Sequence, residues 1–206
     1  MKSKHLLFVV LLSSIGTFAQ SSQAFLINLY GGYTFSDRVD FDSSHAIVED
    51  GFEYGIGLEY FFIENSSVEL KYKRLDSNLP LYGPMGNQLN AGDDKSAINY
   101  VLVDYTHYFE LNSKKVLPYL GAGAGIGILE TPQSGNGTYF AWDLKAGVKI
   151  NTNSPVSVNL NAYLESMSAA VGNDYYWTYY GLVGVSDYVS TFQFGLGVSL
   201  SYDFSK

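Results

Sequence analysis

From Thr191 to Phe204 the chain alternates without an error. Phe192, Phe194, Leu196, Val198, Leu200, Tyr202 and Phe204 fall on one face, and Gln193, Gly195, Gly197, Ser199, Ser201 and Asp203 on the other. A period of two belongs to a strand whose two faces meet different surroundings. The polar face is built mostly from small residues and the apolar face from large ones. A solvent-facing surface has no need of small side chains, whereas the inner wall of a narrow barrel does. The segment therefore argues for a closed sheet with its apolar side turned outward into lipid.

The start of the chain fits that destination. Lys2 and Lys4 precede an apolar run from Leu6 to Leu12, and Thr17 and Ala19 hold the small-residue positions that precede a cleavage site. This is the three-part pattern of a secretory signal peptide, predicted to span residues 1–19, leaving residues 20–206 as one domain. Its removal takes Lys2 and Lys4 but none of the 20 acids, so the net charge moves from −8 to about −10. Such an acidic balance excludes nucleic acid as a partner, because phosphate recognition needs a basic patch. The chain has no cysteine, and so no disulfide framework. Beyond the leader no stretch approaches the ~20 apolar residues of a spanning helix.

Eight strand-like segments are legible, over residues 24–35, 51–62, 66–76, 97–110, 116–129, 138–150, 156–166 and 190–204. The connections alternate long and short. Residues 36–50, 77–96, 130–137 and 167–189 are long, whereas the connections at 63–65, 111–115 and 151–155 are short and rich in turn formers. This rhythm predicts an all-β, eight-stranded antiparallel up-and-down transmembrane β-barrel, with short turns and both termini periplasmic and the long loops extracellular. Outward aromatics gather toward both strand ends, where amphipathic rings favour the membrane boundary.

Eight strands leave an interior just wide enough for side chains to fill. The predicted inner face carries Glu53, Glu59, Glu69, Asp104, Glu110, Asp143, Glu165 and Asp203, with Lys71, Lys73, Lys145 and Lys149. Charges there are costly unless paired. Glu53, Glu59, Glu69, Lys71, Lys73, Asp143, Lys145, Lys149 and Glu165 are candidate ion-pair formers, with Glu59–Lys71 and Asp143 or Lys145 with Glu165 as the expected pairs. Two readings follow: a polar plug that holds the barrel shut, or a narrow conduit. In the fifth segment Gly121, Gly123, Gly125 and Gly127 share one face. Inward glycines there would make room for large neighbours such as Tyr30 or Tyr163.

Pro118-Tyr119-Leu120-Gly121-Ala122-Gly123-Ala124-Gly125 resembles the P-Y-x-G-x-G-x-G strand of small outer-membrane β-barrel proteins, the broad porin-like group of OmpA-like, OmpX-like, OmpW-like and opacity proteins. The terminal Tyr202-Asp203-Phe204 is similar to the signal read by the barrel-assembly machinery, although Ser205 and Lys206 follow it. The resemblance implies an outer-membrane barrel of a Gram-negative-type bacterium, with membrane lipid and lipopolysaccharide around it and the assembly machinery as its partner in biogenesis. It does not choose among the group's members.

Acyl transfer needs a nucleophile, a base and an orienting group within hydrogen-bond reach. After loss of the leader only His45 and His107 remain as histidine bases. His107 is expected on the outward face near the turns, with no serine at its two-residue neighbours, and His45 lies in the first loop beside Ser43 and Ser44. A boundary-belt ring and a solvated loop histidine are the expected roles, so no catalytic residue, cofactor or metal is assigned. Asp37, Asp40, Asp42, Glu49 and Asp50 in the first loop and Asp76, Asp93 and Asp94 in the second lack a calcium-loop spacing. They read as a solvated acidic rim, or as acids that bridge to lipopolysaccharide phosphates through divalent cations. In the fourth loop Tyr175, Tyr176, Trp177, Tyr179 and Tyr180 form the candidate contact surface for an extracellular protein or glycan. The sequence thus favours a non-catalytic barrel with a structural or surface-display role in adhesion or recognition, against a narrow channel or carrier for ions or small hydrophobic solutes.

Overall fold

The computed structural model describes residues 24–40, 45–90, 94–111, 115–131, 135–171, 175–178, 181–184 and 187–205. The expected leader at 1–19 lies outside them. Eight long strands make the wall: β1 (Phe25–Thr34), β2 (Gly51–Ile63), β3 (Ser66–Asn78), β4 (Lys95–Tyr108), β5 (Val116–Thr131), β6 (Gly135–Asn151), β7 (Val156–Val171) and β8 (Gln193–Asp203). Each pairs antiparallel with its sequence neighbours, and β8 returns to β1 with Leu29 opposite Leu200, which closes the sheet. Closure removes the two edges whose unpaired backbone groups lipid could not satisfy.

The alternation in sequence becomes an inversion of polarity in space. Leu29, Ile56, Leu58, Leu70, Val103, Leu144, Leu160, Leu196 and Leu200 stand on the outside of the wall, each about half exposed. Glu53, Glu59, Glu69, Lys71, Asp104, Asp143 and Glu165 are buried within it. Water would select the opposite arrangement, whereas a hydrocarbon solvent selects this one.

The wall is uneven in height. β5, β6 and β7 continue past their expected ends, so that the third long connection shrinks from 130–137 to 132–134 and Asp187–Ser190 pairs with the end of β7. At the same end Asp37–Asp40, His45–Val48 and Leu81–Tyr82 form a three-stranded sheet within the first two long connections. These connections were expected as loops because their short runs carry no sustained alternation. At the opposite, short-turn end, a register shift between Phe61 and Ile63 precedes the turn at Glu64 and Asn65. Glu110 lies just beyond β4, where it is exposed at the rim of the hollow lined by Tyr108 and Lys149.

Candidate functional site in the lumen and at the long-loop end

Inward positions of β2, β3, β4, β6 and β7 bring the charges of five strands together. Lys71 Nζ donates to Asp104 Oδ2 at 2.8 Å and also to Asp143. Lys145 Nζ donates to Asp104 Oδ2 at 2.8 Å and Glu69 Oε2 at 3.1 Å. Lys73 lies between Glu53 and Glu165. Asn28 Nδ2 links Glu59 and Glu69, at 3.1 and 2.6 Å, and Tyr30 donates to Glu69. Glu59 also accepts from Ser67 and from Tyr108, the latter at 2.8 Å. Lys149 sits 5.0 Å from the Phe61 ring centroid and 5.1 Å from that of Tyr108. Buried carboxylates and ammoniums persist only when paired and hydrogen-bonded in this way.

The pairing differs from the expected one. Glu59 stands opposite Glu69, and Lys71 opposite Gly57, so Glu59 reaches hydroxyl and amide donors rather than Lys71. Asp143 is the register partner of Glu165, which sets two acids side by side; Asp143 turns to Lys71 and Glu165 to Lys73, while Lys145 pairs with Glu69 and Asp104. Pairing across a lumen depends on register and on the far wall, neither of which a strand's own residues encode.

The glycines of β5 also serve other neighbours than expected. A Cβ on Gly121 would meet Lys145 and Thr106, one on Gly123 the carboxylates of Asp104 and Asp143, and one on Gly127 the Met167 side chain. Tyr30 lies instead beside Gly57, and Tyr163 is seated against Gly32, Gly195 and Gly197. The stripe on β5 is therefore the floor on which the charge cluster rests.

Toward the long-loop end the lumen becomes apolar. Ile98, Tyr100 and Leu102 of β4 pack with Ala141, Met167 and Val48, flanked by Leu79, Leu129 and Tyr139. Tyr100 donates to Gln193 at 2.9 Å. Val48 comes from the loop sheet, whose Val39 and Ala46 are also buried, so the first long connection covers this mouth. Asp37 fastens that cover: its Oδ2 accepts from the Phe192 backbone N–H at 2.7 Å, and burial raises its carboxyl above the ordinary range. A space of about 20 Å³ lies within the charge cluster, bordered by Glu53, Lys71, Lys73, Asp143 and Lys145. That is room for about one water. A wider hollow of about 320 Å³ opens at the short-turn end around Lys149, Tyr108 and Phe61.

His107 faces outward near the short turns, but its partner comes from the neighbouring strand. Ser66 is its register partner, and Ser66 Oγ lies 2.9 Å from His107 Nδ1 and 3.2 Å from the Tyr105 hydroxyl. Sequence spacing could not show this serine, because it is brought in by pairing. The serine's second neighbour is a phenol rather than a carboxylate, and the imidazole meets Phe109 edge-on. His45 stacks on Tyr82 at 5.0 Å. Among the described residues no group of three or more His, Asp or Glu could hold a metal ion. Of the fourth-loop aromatics, Tyr175, Tyr176 and Trp177 lie on a strand, Tyr175–Thr178, paired with Gly181–Gly184, while Tyr179 and Tyr180 lie outside the described residues.

On the outer wall at the long-loop end Arg74 joins three strands. It donates to Asp76 Oδ1 at 2.8 Å, to Asn99 Oδ1 at 3.1 Å and to Glu130 Oε2 at 3.1 Å. Tyr54 donates to Asp76 at 3.0 Å and Tyr72 to Asn99 at 2.8 Å, bracing the cluster from the lipid-facing side. No sequence motif marks this cluster, whose members lie far apart in the chain.

The sequence matches the family model described as outer membrane protein beta-barrel domain over residues 6–201. Solved structures with the same fold include the outer membrane protein OprG from Pseudomonas aeruginosa, with a TM-score of 0.59 at 12% identity, covering 90% of this chain and 97% of that one. Neisserial surface protein A aligns with a TM-score of 0.56 at 16% identity over 87% of this chain and 98% of that one. The outer membrane protein AlkL, solved in DMPC bilayers, gives 0.52 at 12% identity over 92% and 94%. No curated protein matches the sequence.

Proposed function

The chain belongs to the outer membrane protein beta-barrel family, and from that footing we propose that it is a non-catalytic, closed barrel whose long-loop end faces the cell exterior for adhesion or recognition. In this reading both termini are periplasmic and the barrel is a rigid support. The filled lumen carries it: an ion-pair cluster with about 20 Å³ of space is followed by an apolar plug built on Tyr100 and Leu102 and covered by Val48. Ions crossing that path would have to displace buried, paired charges and then an apolar layer, each step costly. The absence of catalysis is favoured by the surroundings of Ser66 and His107, where no carboxylate is seen to orient the imidazole.

The test is conductance of the purified barrel in planar bilayers. Membranes that stay electrically silent after insertion are expected; steady unitary openings would favour the competing channel reading. Display is tested separately by replacing Tyr175, Tyr176, Trp177, Tyr179 and Tyr180 with serine and measuring attachment of whole cells to a glycan- or protein-coated surface. A marked loss of attachment at unchanged surface abundance is expected, and unaltered attachment would move recognition away from the fourth loop.

A further inference from the structure

We infer that the cleft above the Arg74 cluster is a saccharide-binding site, taking a hydroxyl-rich oligosaccharide without net negative charge. The inference rests on the reading of the long-loop end as the exterior one. The cleft is an open hollow of about 930 Å³ across the rim of the wall, between the ends of β3 and β5, the starts of β4 and β6, and Asp50 ahead of β2. Small-molecule pockets span roughly 300–1,000 Å³ and are mostly apolar. This one has Ala97 as the single apolar residue of its lining. An acyl chain or an aromatic ligand would strand its polar groups without partners, at the cost that attends any buried unpaired donor or acceptor. A polyol, each hydroxyl both donor and acceptor, satisfies them.

Charge narrows the class further. The lining holds the carboxylates of Asp50, Asp76 and Glu130 against the cations of Arg74 and Lys95, and Arg74 is already shared between two of those carboxylates. A polyanion would meet a surplus of like charge. A bare cation is poorly served as well, because Asp76 accepts from both Arg74 and Tyr54, and Asp50 accepts from Tyr33. Asp50 and Glu130 each carry a second oxygen able to accept a sugar hydroxyl; Asn78 and Ser96, whose donors are turned to Glu49 and to the Ser77 carbonyl, keep acceptor oxygens, and Asn136 adds an amide. The floor is held by hydrogen bonds spanning β2 to β5, so little ordering cost remains for binding. Tyr54 and Tyr72 place the cleft immediately above the lipid-facing rings, at the depth of headgroups. The saccharide could therefore be supplied by a glycolipid of the same leaflet or by a free oligosaccharide.

Saturation-transfer NMR on the full barrel separates these sources. In detergent micelles the probes are maltotriose and chitotriose, with a heparin hexasaccharide as the polyanion. In nanodiscs the probe is a digalactosyl diacylglycerol. Transfer to at least one uncharged sugar is expected, with heparin weaker. Glu130→Gln and Ser96→Trp, the second filling the cleft, are expected to weaken binding about tenfold or more, since a hydrogen bond to a charged group is worth roughly 1.5–3 kcal/mol. Transfer to the glycolipid headgroup that Ser96→Trp abolishes assigns the leaflet as source, and cleft-dependent transfer to the free trisaccharides alone assigns the exterior. No transfer to any uncharged sugar, stronger transfer to heparin, or binding that survives both substitutions in folded protein would overturn the inference. Loss of sugar binding while Met85→Cys still takes an impermeant maleimide on intact cells would remove this site and leave the exterior reading standing; sugar binding without that labelling would do the reverse.

Discussion

Lys71 is one of three buried lysines that each hold two acids together. It is buried, it holds Asp104 and Asp143 together, and both acids face the same small stretch of backbone at Gly123. Lys71→Met removes the cation paired with Asp143 and leaves Asp104 to Lys145, and breaking a buried pair typically costs about 3–5 kcal/mol. Urea unfolding in lipid vesicles should show a loss of that size, whereas Lys71→Arg should recover part of it. Equal stability of Lys71→Met and the parent would mean that the acids are not charged partners of this lysine. That Lys71 points inward was legible from Val68, Leu70 and Tyr72 alternating with Glu69, Lys71 and Lys73. Its partners were not, because Asp104 and Asp143 belong to strands whose register is fixed by the closed wall.

At the scale of the strand, the clean period of two in β2, β3, β6, β7 and β8 was sufficient to place their faces. β4 resisted for a physical reason: its inner face carries Ile98, Tyr100 and Leu102, which plug the apolar half of the lumen, so both faces of that strand are greasy. The loop sheet was hidden for a related reason, since runs as short as His45–Val48 bury Ala46 and Val48 without the length that makes a pattern visible. The Arg74 cleft left no trace in sequence because β3, β4 and β5 each lend it a few residues of ordinary type and β6 lends one. The outward faces make a prediction of their own. Leu70 is 56% exposed, between Leu58 on β2 and Val103 on β4. Leu70→Arg should destabilise the barrel in a bilayer by about 2–4 kcal/mol, the cost of arginine near the midplane. Guanidinium titration of folding into vesicles reads this directly, and a neutral effect would remove Leu70 from the hydrocarbon.

The whole molecule is a protein turned inside out: a sleeve of aliphatic and aromatic side chains around an ion-paired and partly apolar axis, with loop hairpins at one end. The reading of that sleeve as lipid-facing and of the axis as shielded requires that even-numbered positions of β8 touch lipid and odd-numbered ones do not. A nitroxide scan from Gln193 to Asp203 in vesicles measures this. Collision with oxygen should peak at Phe194, Leu196, Val198, Leu200 and Tyr202 and fall at Gly195, Gly197, Ser199 and Ser201, with a period of two across the strand. A flat profile, or preferential collision of the even positions with a water-soluble nickel chelate, would contradict the account.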